Sequence, residues 1–204
     1  MMKSILFSAG VATAICFLSA DTAKANRVAN GDFEDGLNGW TFTGDGVTDT
    51  ASLSSDTPSG AGMSADLNIN GPNGLPWLQQ DIDVSGLTGL DLTFSASVKE
   101  LRPASPDDAW IAGQVWMLPN SGSGLILSSV ALFYSSPDWF EQTTNITVPA
   151  GANVARVLFT PQNPSFLAGN GQYLIDDVSL VVPEPSTCIL AMLSIGGLLI
   201  RRKC

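Results

Sequence analysis

Between residues 90 and 98 the side chains alternate without a break: Leu90, Leu92, Phe94, Ala96 and Val98 share one face, and Asp91, Thr93, Ser95 and Ser97 the other. A period of two marks a half-buried strand, because successive side chains of extended backbone point to opposite sides. Similar strand-like runs cover 51–54, 63–69, 78–84, 110–118, 125–134, 140–148, 154–160 and 172–182. Turn-forming clusters separate them, among them Asp56-Thr57-Pro58-Ser59-Gly60, Asn70-Gly71-Pro72-Asn73-Gly74 and Pro149-Ala150-Gly151. No segment between residues 26 and 182 sustains a helical period. About nine short strands at this spacing predict an all-β domain, a β-sandwich of the jelly-roll kind.

The ends of the chain have a different character. Lys3 precedes an apolar stretch over 5–20, and Ala23-Lys24-Ala25 supplies a small-x-small cleavage pattern, so 1–25 reads as a secretory signal peptide. At the other end Pro183-Glu184-Pro185-Ser186 leads into an uncharged apolar run over 187–200, and Arg201-Arg202-Lys203-Cys204 closes the chain. As a helix that run would span about 21 Å, against about 30 Å of bilayer hydrocarbon. Length alone suggests a core helix. The two prolines before it and the basic cluster after it instead suggest a short transmembrane stop-transfer helix with its positive end in the cytoplasm.

Removing the ends leaves 26–182 as the working domain and changes its chemistry. Cys16, Cys188 and Cys204 all go with the ends, so the domain has neither disulfide nor thiol site. Histidine is absent, which removes the usual neutral-pH base and the usual zinc ligand. Arg27, Lys99, Arg102 and Arg156 face all of the acids except Asp21 and Glu184, a net charge of −13 that excludes nucleic acid as a partner and suits divalent cations.

The tail, with its Pro183-Glu184-Pro185 motif, short apolar helix and basic end over 183–204, resembles the PEP-CTERM sorting signal of bacterial exported proteins. That resemblance implies an exosortase-type membrane protease as partner, transient inner-membrane anchoring, and a final location secreted or at the cell surface. The domain carries a second resemblance. Asn30-Gly31-Asp32-Phe33-Glu34 and Gly39-Trp40 open it, Gln80-Asp81-Ile82-Asp83-Val84 and 92–98 follow, and Ile175-Asp176-Asp177-Val178-Ser179-Leu180 closes it. This order is similar to carbohydrate-binding modules of the galactose-binding-like jelly-roll fold.

Two groups of residues are candidates for chemistry. First and last strands of a jelly roll can lie side by side, so Glu34 could meet Asp176 or Asp177 there, and hard oxygen ligands favour Ca²⁺. The resemblance implies a structural calcium, carried to Glu34 and Asp176, with Asp32 and Asp177 beside them; the alternative is that these acids cap turns and face solvent. In the 110–118 strand Trp110, Gln114 and Trp116 share one face with Ala112 and Leu118, while Ile111, Val115 and Met117 share the other. Two indoles flanking an amide suit a sugar, with rings to stack on and Gln114 to bond hydroxyls; the alternative is burial on both faces. Trp77, after a Gly-rich turn, is a rim platform or packing, and Trp40 and Trp139 read as core. Acidic pairs around Lys99-Glu100 and Pro106-Asp107-Asp108 leave glycan processing as a third reading. No nucleophile and base form a recognised motif, so the expectation is a non-catalytic module that binds extracellular polysaccharide, with a structural or adhesive matrix protein as the alternative.

Overall fold

The run at 90–98 becomes part of the twelve-residue strand β6 (Asp91–Arg102), placed between two other strands of a six-stranded sheet. This is seen in a computed structural model that describes residues 24–44, 49–69, 76–102, 110–162 and 171–183. The other strands are β1 (Lys24–Asn26), β2 (Thr41–Phe42), β3 (Thr50–Ser54), β4 (Ser64–Ile69), β5 (Leu78–Asp83), β7 (Trp110–Leu118), β8 (Ser128–Tyr134), β9 (Phe140–Thr147), β10 (Val154–Gln162) and β11 (Gly171–Pro183). One sheet runs β3-β4-β11-β6-β9, with β1 beside β11; the other runs β2-β5-β10-β7-β8. Both are antiparallel, and no helix occurs among the described residues. The nine expected strands are all present. The additional two, β1 and β2, are too short to show a period.

Alternation assigns the faces. Leu92, Phe94, Ala96 and Val98 of β6 turn inward against Ile111, Val115 and Met117 of β7 and Val157 and Phe159 of β10 in one hydrophobic core. Each fully buried side chain of this size contributes about 1.5–3 kcal/mol. An aromatic chain crosses between the sheets: Phe33 to Trp40 at 5.3 Å, Trp40 to Phe159 at 6.2 Å and Phe159 to Phe94 at 6.4 Å. Gly113 occupies an inward position of β7 where a Cβ would press on the Phe159 ring. Backbone and ring therefore approach closely at the middle of the sandwich.

Two details differ from the sequence reading. Leu90 is 43% exposed because it belongs to the turn ahead of β6, where its N–H donates to Leu87. Trp139 is not a core residue; it lies just before the edge strand β9, half-buried, its indole N–H donating to Asp56 Oδ1 at 3.0 Å. Trp40 is core, as expected. The leader and tail, with Pro183-Glu184-Pro185, lie outside the described residues except for 24 and 25, which belong to β1, and 183, the last residue of β11.

Candidate functional site

The sheet β2-β5-β10-β7-β8 turns a second set of residues away from the core. On β5, Leu78, Gln80 and Ile82 are buried, so Gln79, Asp81 and Asp83 point outward. The pairing of β10 with both β5 and β7 then fixes rows across three strands: Gln79, Leu158 and Gln114 in one, Asp81, Arg156 and Trp116 in the next. Leu158 is 0% exposed although it is no member of the core cluster. It forms an apolar floor on the outer face, between two glutamines.

Two indoles stand over this floor. Trp77 precedes β5 and is fixed by its backbone, whose N–H donates to Thr43 Oγ1 at 3.1 Å while its carbonyl accepts from Thr43 at 3.0 Å. Its ring meets Trp116 edge-on, with centroids 5.4 Å apart and planes at 79°, an arrangement worth about 0.5–1.5 kcal/mol. Trp116 Nε1 donates to Gln114 Oε1 at 2.8 Å, which holds both side chains of β7 in one orientation. Among the described residues Trp77 Nε1 and Gln79 Oε1 are buried without a hydrogen-bond partner. Orphan groups of this kind cost about 1–3 kcal/mol each.

Arg156 forks onto Asp81, Nε to Oδ1 at 2.7 Å and Nη2 to Oδ2 at 2.9 Å, and Nη2 also reaches the Ser121 carbonyl at 2.7 Å. The hydrogen bond to Asp81 raises the guanidinium pKa above its ordinary value. On β8, Phe133 sits opposite Ala112 and is 53% exposed. Of the four residues expected to meet sugar, the structure brings Trp77, Gln114 and Trp116 together, while the Trp110 side chain lies outside the described residues. Sequence reading missed Gln79, Asp81, Arg156 and Phe133. The alternation of β5 and β10 would have placed them outward, but their convergence needs the sheet order.

The acidic group arises from a change of phase in β11. From Asp176 to Ser179 β11 advances three residues while β6 advances two, from Ser97 to Ser95, so one extra residue enters β11. The pairing with β6 skips accordingly between Asp176 and Ser179, and Asp177 takes φ 51°. This is a β-bulge. It leaves Asp177 exposed and Asp176 only 5% exposed, with the Asp177 N–H donating to Asp176 Oδ1 at 2.8 Å. The opening loop docks here through Val178 N–H to the Gly31 carbonyl at 2.9 Å; a Cβ on Gly31 would overlap the Val178 carbonyl oxygen. Burial pushes the Asp176 carboxyl up to about 7, with the charges of Asp177, Asp32 and Glu34 adding to the rise against the lowering effect of the Asp177 N–H. Glu34 is itself engaged, accepting from Met63 N at 2.8 Å. Among the described residues no three acidic, histidine or cysteine side chains group as a metal site. The charges of Asp177, Asp32 and Glu34 act on Asp176, and further oxygens would have to complete any calcium shell.

No protein-family model matches the sequence, and no curated protein does. Solved structures do match. A family 16 carbohydrate-binding module aligns at TM-score 0.54 and 18% identity, over 76% of this chain and 99% of that one. The CBM22-1 xylan-binding domain from Paenibacillus barcinonensis aligns at TM-score 0.55 and 13% identity, over 81% and 99%. The enzymatically active domain of bacteriophage CBA120 tailspike protein 4 aligns at TM-score 0.61 and 17% identity; 77% of this chain is covered, but it spans about a fifth of that one, 21%. At these identities the likeness is one of fold. The protein is an all-β sandwich with the jelly-roll architecture found in carbohydrate-binding modules.

Proposed function

We propose that the domain is a non-catalytic carbohydrate-binding module whose ligand lies on the outer face of the β2-β5-β10-β7-β8 sheet. The observation that carries this reading is the Trp77 and Trp116 pair, braced by Gln114 over the buried Leu158 floor. Indole faces stack on the apolar faces of sugar rings, and the neighbouring amides meet their hydroxyls. The likeness in fold to carbohydrate-binding modules supports the same reading. A shallow surface gives weak single-site affinity, which suits a polymer that presents many sites. Trp110, at the start of β7, stays in the proposed sugar-binding set with Trp77, Gln114 and Trp116 on the strength of the sequence pattern alone.

The leader and the Pro183-Glu184-Pro185 tail deliver this domain, by exosortase processing after transient membrane anchoring, to the cell surface or the surrounding polysaccharide. Calcium at the β11 bulge, held by Asp176 and Glu34 with Asp32 and Asp177 nearby, would neutralise the buried carboxylate and pin the opening loop to the last strand. A second reading, an adhesive or structural matrix protein without sugar specificity, is favoured by the net charge of −13, which binds divalent ions and through them other polyanions.

Immobilised polysaccharides probed with the full chain and with Trp116→Ala decide between the two. The sugar-binding reading expects selective retention that the substitution reduces at least tenfold. Retention on no polysaccharide, or retention equal in both proteins, favours the matrix reading.

A further inference from the structure

The two orphaned atoms on the outer face have opposite hydrogen-bonding character. Trp77 Nε1 is a donor with no lone pair to offer, and Gln79 Oε1 is an acceptor. They belong to side chains two residues apart, one on β5 and one immediately before it, on the same side of the sheet. We propose that they form a subsite for one hydroxyl of a neutral glycan, which accepts from Trp77 and donates to Gln79. This rests on the sugar-binding reading above and narrows it to a class of sugar.

The choice of a neutral hydroxyl follows from what each ligand group can supply. A hydroxyl carries one donor and two lone pairs, so it satisfies both atoms at once. A carboxylate or sulfate only accepts; it would answer Trp77 but present negative oxygen to Gln79. An ammonium group only donates and leaves the Trp77 N–H unmet. The charges nearby act in the same direction. Arg156, which would otherwise attract an anion, has its fork closed by Asp81 and its Nη2 shared with Ser121. Asp83 lies outward and exposed on the same strand, and the domain as a whole is strongly acidic. A polyanion therefore meets repulsion at long range, and its charged oxygens cannot answer both atoms at contact.

Access depends on the indoles. Trp77 and Gln79 are half-buried residues whose orphaned polar atoms are covered. The subsite requires the edge-on contact between Trp77 and Trp116 to part so that a hydroxyl reaches the covered atoms. Ligand binding then exchanges one aromatic contact for a stacked sugar and two hydrogen bonds. The Gln114 carbonyl oxygen takes no part in the exchange, because Trp116 already holds it.

The test is affinity electrophoresis of the full chain in gels containing β-glucan, arabinoxylan, β-1,4-galactan, polygalacturonate or alginate, at 20 and 200 mM salt as chosen conditions. We expect retention by at least one neutral polymer, at least tenfold stronger than by either polyuronate at both salt concentrations. Gln79→Met, which keeps the length of the side chain and removes its acceptor, should weaken neutral binding about tenfold. An O-methylated form of the bound polymer, whose capped hydroxyls only accept, should lose binding to the unaltered protein by a similar factor. That arm holds even where Gln79→Met fails to fold. Equal binding of the methylated polymer, or polyuronate binding that matches neutral binding at high salt, overturns the hydroxyl subsite while leaving sugar binding in place. Retention by no polymer overturns both.

Discussion

The two outer faces of the sandwich are built on the same core and do opposite things with their polar groups. On the sheet containing β6 and β11 the outward side chains satisfy one another: Ser95 with Ser179 at 2.7 Å, Thr93 with Asn145 at 3.0 Å, Gln172 with Asp66 at 2.9 and 3.0 Å, and Lys99 with Asp56 at 2.6 Å. Away from the acidic bulge at Asp176, small hydroxyls and paired charges close this face with hydrogen bonds of their own. Each outer face covers one leucine, Leu174 on that sheet and Leu158 on the other, but the other sheet surrounds its leucine with indoles and amides, and two polar atoms among them are left without partners. A face that closes its own hydrogen bonds is finished as solvent-facing surface, whereas one that covers a donor and an acceptor without partners leaves two hydrogen bonds to be made.

The strongest perturbation removes what the faces share. Phe159 joins Phe94 to Trp40 at the middle of the core, and Phe159→Ala should cost about 3–5 kcal/mol, read as a fall in the denaturant midpoint. Loss of polysaccharide binding should follow the loss of structure. The contrast itself is tested by Trp116→Ala, which should cost about 2 kcal/mol of binding or more if the indole is an anchor, with a smaller change in melting temperature. A variant that loses stability but keeps its binding would move the ligand off this face.

A third test concerns two carboxylates with opposite shifts. Asp56 is lowered by its hydrogen bonds to Lys99 and Trp139, so it contributes stability above the unfolded value of 3.8 that is lost as pH falls through its folded value. Asp176 is raised to about 7, so the folded state holds its proton more tightly than the unfolded chain does. Its contribution is fully present below 3.8 and lost as pH rises toward 7. With chelator present, the melting temperature should therefore decline between pH 4 and pH 7, by a few degrees for about 1 kcal/mol in a domain of this size. Calcium should restore it at pH 7, and Asp176→Asn should flatten the profile. A midpoint indifferent to chelator and pH would remove the metal from the bulge.

Much of this was legible in the chain, for local reasons. Nine strands follow from alternation between turn clusters, and the division of β7 into a core face and an outer face follows from period two alone. What escaped was whatever depends on neighbours distant in sequence. Trp77 could be read as platform or packing because nothing near it reveals that the β5-β10-β7 order sets it against Trp116. Gln79 and Arg156 looked like ordinary surface residues for the same reason. Trp139 was misassigned because size suggests burial, while its place before an edge strand leaves it half open beside Asp56. The bulge left no trace in the pattern, because Leu174 and Asp176 are buried along with Tyr173, Ile175, Val178 and Leu180; it shows only in the register of β11 against β6.

The smallest expected effect is also the sharpest control. Ser95 and Ser179 form a hydroxyl pair across β6 and β11, part-buried on the self-satisfied face. Changing Ser95 to Ala removes one partner, and a typical hydrogen bond of this kind is worth about 1 kcal/mol net. Ser179 also lies two residues from Asp177, so Ser95 is the cleaner site because it does not disturb the bulge. If the faces differ as their hydrogen bonding indicates, Ser95→Ala lowers the denaturant midpoint slightly and leaves polysaccharide retention unchanged, while Gln79→Met does the reverse. Matched losses of binding in both variants would mean that retention tracks global stability, and the division of labour between the two sheets would fail with it.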